Sequence, residues 1–195
     1  MFLLSPASTS GKRAKLLLST RATFDLAVRV RSSEGASIGE VFSFLSGLYF
    51  RGKLTYARRF AASVSGIRVI TSDRGLVSPD LRVTLDDIRT MAAGSIDPSH
   101  LAYRAPLERD VTGLARGLDA GEDVVLLGSI ATGKYSDILQ ALLGARLKFP
   151  EPFVGLGDMS RGGMLLRAVR EERELAYVPL EGTVRRGRRP MPSDA

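Results

Sequence analysis

Apolar positions along this chain fall into short blocks whose spacing alternates between that of strands and that of helices. Phe2-Leu3-Leu4 is fully apolar and predicts a short buried strand running into Ser5-Pro6-Ala7. Gly11 to Leu18 predicts a helix. Phe24 to Arg31 (FDLAVRVR) alternates apolar and polar with period two, the pattern of a half-exposed strand. Ser37-Ile38-Gly39-Glu40 opens a long apolar-rich segment that reaches Val64. Gly47 and Gly52 interrupt it, so it reads as two helices or one kinked helix with a joint at 47–52. Arg68 to Thr71 predicts a strand ending in Ser72-Asp73-Arg74-Gly75. Thr84, with Asp87 three residues on, has the spacing of a capping box opening a helix toward Ala93.

Residues 94–105 (GSIDPSHLAYRA) read as a loop and as the best place for a hinge. Beyond it, Leu107, Val111, Leu114 and Leu118 mark one helical face, closed by Gly121. Asp123 to Leu127 is almost entirely apolar, as a strand buried on both faces requires. Tyr135 to Leu147 predicts a helix, Phe153 to Leu156 a strand, Ser160 to Arg173 a helix and Leu175 to Leu180 a last strand. Strands alternating with helices predict an α/β fold of three layers: a mainly parallel or mixed central sheet with helices on both faces. One domain is expected over residues 1–184, followed by a basic, disordered tail at 185–195.

Composition narrows the classes. No apolar run approaches the ~20 residues of a membrane span, and the start is too short for a secretory signal, so a cytoplasmic protein with no membrane partner is expected. There is no cysteine and a single histidine, His100. A thiolate nucleophile, a disulfide frame and a multi-histidine metal site are thereby excluded, and the residue inventory calls for no metal and no cofactor. Lys plus Arg is 28 against 21 acids. The excess is uneven: residues 1–100 carry 14 bases and 8 acids, whereas 101–195 carry 14 and 13. Arg51, Lys53, Arg58, Arg59 and Arg68 follow one another without an intervening acid, and Arg185, Arg186, Arg188 and Arg189 crowd the tail. Clustered bases are the electrostatic footprint of a polyanion.

Four predicted strands end in loops rich in Gly, Ser and charge: 5–13, 71–75, 128–135 and 155–163. In open α/β sheets ligands bind beyond the carboxyl ends of the strands, where helix N-termini offer N–H groups to anions. The candidate ligand-holding residues are Ser5, Lys12, Arg13, Ser72, Arg74, Ser129, Lys134 and Arg161 from these loops. Tyr49 and Arg51 join them from the aromatic and basic joint, and Tyr135 from the third loop. Basic groups would hold phosphate, while Tyr49 or Tyr135 would stack on a base or hydrogen-bond to it. Asp73 and Asp158 are the carboxylates within the loops and the candidates for a general base. Gly128 to Lys134 fits the phosphate-cradling spacing Gly-x-x-x-x-Gly-Lys. Tyr135 stands where magnesium needs a Ser or Thr hydroxyl, which argues against nucleoside-triphosphate hydrolysis.

Three segments resemble the YaaA-like peroxide-stress family in the same order. They are the opening strand with Ser5-Pro6-Ala7, the strand followed by Thr71-Ser72-Asp73-Arg74-Gly75-Leu76-Val77-Ser78-Pro79-Asp80, and Leu127-Gly128-Ser129 to Tyr135. The second is also similar to segments of uncharacterised bacterial and phage domains and of the archaeosine-synthase core. The resemblance spans roughly residues 1–160 and implies an α/β fold related to uracil-DNA-glycosylase-like proteins, with a link to DNA or modified bases. The glycosylase water-activating motif and its histidine loop are missing, so glycosidic hydrolysis is not implied. Phe24 to Arg31 and the basic tail lie outside the shared pattern.

The sequence therefore leads to a nucleic-acid-associated protein, DNA ahead of RNA, with a strand-end pocket for a nucleobase, nucleotide or phosphate. An enzyme acting on a free nucleotide or base, and a non-catalytic protein-interaction module, are the competing classes.

Overall fold

The apolar block Phe2–Leu4 forms strand β1, which lies inside a six-stranded sheet. The computed structural model describes residues 1–182. After β1 come helices α1 (Lys12–Leu18) and α2 (Asp25–Arg31), strand β2 (Ala36–Ser37), and helices α3 (Ile38–Ser46) and α4 (Leu48–Phe60). Strands β3 (Ile67–Ile70), β4 (Leu76–Val77) and β5 (Arg82–Val83) follow, then helices α5 (Leu85–Ala93) and α6 (Leu101–Gly117). Strand β6 (Val124–Leu127), helix α7 (Ser136–Leu143), strand β7 (Leu147–Pro150), helix α8 (Asp158–Arg170) and strand β8 (Tyr177–Pro179) complete the order among the described residues.

The sheet runs β4-β3-β1-β6-β7-β8. Its four central strands are parallel, and an antiparallel strand closes each edge. Phe2 stands opposite both Ile67 and Val125, and Leu4 opposite both Val69 and Leu127. Every residue of β1 and β6 is buried, because both faces of the sheet are covered. Helices α3, α4 and α8 pack together, with α4 against β1, while α6 packs on α7 and α7 against β7. This is a three-layer α/β fold with a mixed, mainly parallel sheet. Strands β2 and β5 form a separate antiparallel ribbon.

Local signals account for several boundaries. The Ser37 hydroxyl caps α3 by accepting from Glu40 N–H, and Gly47, with φ of +65°, ends it and starts α4. Thr84 and Asp87 close a reciprocal capping box on α5. Gly52 does not break α4. It lies inside that helix where α8 crosses, and a Cβ there would come within 2.8 Å of Gly162 O.

Elsewhere the structure corrects the pattern. Phe24 to Arg31 is not a strand but contains α2, whose buried residues are Leu26, Ala27 and Val30. Leu26 and Val30 satisfy both a two-residue and a helical period; Ala27 buried and Val28 exposed settle it as helical. Asp25 and Arg29 then pair across one turn. The helix expected to run to Leu147 stops at Leu143, since Gly144 takes φ of +55°, and Leu147–Pro150 becomes β7. Phe153 is therefore not in a strand but in a one-turn 3-10 helix, Glu151–Phe153. The loop read at 94–105 is shorter, because α6 begins at Leu101. The basic tail at 185–195 lies outside the described residues.

Candidate functional site at the strand ends

From β1 the chain passes to β3 on one side of it, then crosses to β6 on the other. Such a reversal of strand order leaves a crevice beyond the carboxyl ends. Ser72 follows β3 and Ser129 follows β6, the two neighbours of β1, so three of the four expected loops, 5–13, 71–75 and 128–135, share one edge. A cleft of about 500 Å³ opens there. It is lined by Pro6 to Ser10 after β1, by Ser72 with Met91, Ala92 and Gly94 to Ile96, by Lys134 and Tyr135, and by Phe42 of α3. The fourth loop, 155–163, follows the 3-10 helix Glu151–Phe153 and does not line the cleft. The lining combines hydroxyls (Ser8, Thr9, Ser10, Ser95), one exposed amine (Lys134) and an apolar strip (Phe42, Met91, Ile96).

Beside this cleft lies a buried polar cluster. The Lys53 side chain is enclosed, with its residue 1% exposed. Its Nζ donates to Ser5 O at 2.6 Å and to Ser5 Oγ at 2.8 Å, and sits 4.6 and 4.8 Å from the ring centroids of Tyr49 and Phe50. Burial pushes the Lys53 amine from its ordinary value near 10.5 down to about 7; Asp158 opposes that shift and Arg161 adds to it. The Tyr135 hydroxyl accepts from Ser129 N–H at 2.9 Å and is hydrogen-bonded to the Ser5 side chain. Burial raises its pKa above the usual tyrosine range, against the opposing effect of those two hydrogen bonds. Gly128 makes room for this contact: a Cβ there would lie 2.7 Å from Ser5 Cβ and 3.0 Å from Tyr135 Oη.

Arg161, buried on α8, donates from Nε to Phe153 O at 3.2 Å and stands 3.6 Å from the largely exposed Asp158 carboxylate. The buried Tyr49 hydroxyl lacks a hydrogen-bond partner of good geometry, and burial raises its pKa, partly offset by the nearby Arg161 charge.

The sequence candidates divide accordingly. Ser5, Tyr49, Tyr135 and Arg161 gather around Lys53, with Asp158 at the rim, while Ser72, Ser129 and Lys134 stand at the cleft or its strand ends. Tyr49 and Tyr135 are buried, so neither is an exposed platform for a base. Ser72 Oγ donates to Met91 O at 2.8 Å and fixes the cleft wall. Arg13 is not at the cleft edge as a ligand: it donates to Phe44 O at 3.1 Å, near the end of α3. Lys12 is exposed on α1. Arg74 is held by Asp73 at 2.8 Å and by Asp87 at 3.2 Å, so Asp73 and Arg74 neutralise each other rather than offering a free base and a free anion site. Arg51 is exposed beside Ser43 and Thr55, away from the cleft lining. In the third loop, Ser129 N–H is bonded to Tyr135 and Ala131 N–H to Ser129 Oγ, so these two donors are turned inward rather than toward a phosphate.

Sequence reasoning counted Lys53 as one more surface base. The signal was available: Tyr49, Phe50, Tyr56 and Ala57 stand at −4, −3, +3 and +4 from it, so on a helix Lys53 occupies the apolar stripe. A second cleft, of about 460 Å³, lies at the amino end of the strands. Its Arg109 pairs with Asp110 and its Arg68 bonds to Ile67 O, and no buried polar cluster adjoins it among the described residues. Comparison with family models, with curated proteins and with solved structures finds no match to this chain.

Proposed function

We propose that the strand-end cleft binds a nucleobase or nucleotide, with the base against Phe42, Met91 and Ile96 and phosphate toward Lys134 and the hydroxyls of Ser8 to Ser10. The observation that carries this reading is the convergence of loops from three adjacent parallel strands on one cleft of small-ligand size that joins an apolar strip to a cation and hydroxyls. The resemblance of the opening strand, of 71–80 and of 127–135 to YaaA-like proteins points the same way, toward bases or nucleic acid.

The distribution of charge favours a free or small ligand over a long backbone track. Of the basic stretch 51–68, Lys53 is interior, Arg58 pairs with Asp80, Arg59 pairs with Glu172, and Arg68 belongs to the other end of the sheet. The test is ligand-detected NMR and calorimetry with guanine, GMP, UMP and inorganic phosphate. Binding is expected for a base or nucleotide. Ser95→Trp, which fills the cleft from an exposed loop position, should weaken it at least ~10-fold, by excluding about as much contact as one buried anchor supplies. Lys134→Ala should weaken nucleotides more than bases, and Arg51→Ala should change nothing. Absence of binding by all four probes, or binding indifferent to Ser95→Trp, overturns the reading.

A further inference from the structure

The geometry points to a proton relay, Tyr135–Ser5–Lys53, that opens at the cleft and gives it acid–base chemistry on a heteroatom of the bound ligand. Three observations converge on it. A lysine that serves only to bridge backbone needs no hydroxyl, yet Lys53 Nζ lies 2.8 Å from Ser5 Oγ. Ser5, which accepts from Lys53, is in turn bonded to Tyr135 in the sense that favours the tyrosinate, so its hydroxyl donates to the Tyr135 oxygen alongside Ser129 N–H and the Tyr135 proton is committed to neither. Tyr135 belongs to the cleft wall, as do Pro6 and Ala7 directly after Ser5. The two hydroxyls therefore link a residue of the cleft wall to a buried amine.

The transfer balances without any further reactant. For protonation, the Tyr135 proton passes to a ring nitrogen or exocyclic oxygen of the ligand. The Ser5 proton replaces it on Tyr135, a Lys53 ammonium proton replaces that on Ser5, and the lysine is left neutral. For deprotonation each step reverses, and the Lys53 lone pair receives the proton. Tyr135 is the candidate catalytic residue; Ser5 and Lys53 act through it. The titratable and charged groups facing Lys53 are Tyr49 on its own helix, Asp158 and Arg161 on α8, and Tyr135 on the loop after β6. Its depressed pKa makes both protonation states accessible near neutrality. The substrate class, a purine or pyrimidine that gains or loses a ring proton, rests on the reading of the cleft given above; the relay itself does not.

The test is a pH titration of the full chain labelled with ε-13C lysine. The chain has five lysines. Single Lys→Arg exchanges at 12, 15, 134 and 148 assign four signals and leave Lys53 by elimination, so no Lys53 variant has to fold. A midpoint near 7 is expected for Lys53. Tyr135 accepts the Ser5 proton and so keeps the Ser5 lone pairs turned toward the ammonium, so Tyr135→Phe should lower the midpoint by about 0.5–1 unit, the equivalent of one hydrogen bond. In the Ser5→Ala background the same Tyr135→Phe change should have no effect. A lysine of merely structural role would not show this dependence. A Lys53 that stays charged above pH 9, a midpoint indifferent to Tyr135→Phe, or an equal shift with and without Ser5 overturns the relay. Repeating the titration with saturating GMP separates the two readings. Bound GMP that leaves the midpoint unmoved overturns a relay that reaches the cleft. Coupling in the free protein together with no GMP binding upholds the relay and overturns the nucleotide reading.

Discussion

Burial strips the Lys53 ammonium of water, and that loss outweighs the two ring faces and two serine oxygens that favour the charged form, so its pKa is pushed down to about 7. Between about 7 and the ordinary lysine value of 10.5 the unfolded chain holds a proton that the folded protein has released. Stability linked to this residue therefore rises with pH across that window, by up to about 1.4 kcal/mol per unit, and is lowest below it. Lys53→Met keeps the length of the side chain and removes the titration. Chemical denaturation of wild type and variant from pH 6 to 10 should give a difference curve that climbs with pH through this window and flattens above it. A flat difference curve would mean that Lys53 is charged in the folded protein.

At the scale of the helices and strands, the contact that positions the buried cluster is the crossing of α4 and α8. Gly52 and Gly162 meet there: a Cβ on Gly162 would lie 2.9 Å from Leu48 O and from Tyr49 Cα. Gly162→Ala should separate the helices and destabilise the protein by about 1–3 kcal/mol, the cost of overpacking a filled contact. Gly163→Ala meets nothing within 4 Å and should stabilise by up to about 1 kcal/mol through helix propensity. Urea melts of the pair check this, and equal effects would remove the crossing from the account.

The same elements mark how far the sequence could be read. Val124–Leu127 and the Thr84–Asp87 box were legible because burial on two faces and capping each leave a local mark. The stretch Phe24–Arg31 was not, since Leu26 and Val30 serve either period and the choice rests on tertiary burial of Ala27. The strand at Leu147–Pro150 was hidden because Leu143 and Leu147 keep the four-residue spacing of a helix across the turn at Gly144. Ser5 and Tyr135 were visible as strand-end residues, but their contact depends on the bare Cα of Gly128, which only the register of β1 beside β6 places between them.

For the molecule as a whole, the formal charge of +7 overstates the cation available to a nucleic acid. Arg58 and Arg59 direct their charge at Asp80 and Glu172 in exposed pairs. Each phosphate neutralised on a duplex adds about −0.9 to the log–log salt slope of binding. In fluorescence-anisotropy titrations of labelled duplex across a salt series, Arg58→Ala or Arg59→Ala should therefore move the slope by well under the value of one phosphate. Removing residues 185–195, with their four arginines, should make the slope shallower by the equivalent of up to about four phosphates. A slope that falls by a whole phosphate in Arg58→Ala or Arg59→Ala would show that duplex DNA displaces their carboxylate partners.

The interior place of β1 also sets a timetable. Its partners begin at Ile67 and Val125, 65 and 123 residues after Phe2 (67 − 2 and 125 − 2). During synthesis the first strand of the chain emerges long before either neighbour exists, and loop closure of that length must precede any reward from pairing. Until β6 arrives, β3 and β1 can at most form an open pair with an apolar edge, the kind of surface that recruits chaperones or other chains. Because Ser5 rides on the end of β1 and Tyr135 follows β6, their hydroxyls meet only once that late pairing is made. Slow or failed insertion of one three-residue strand would leave a chain with most of its helices formed and its Ser5 and Tyr135 hydroxyls apart.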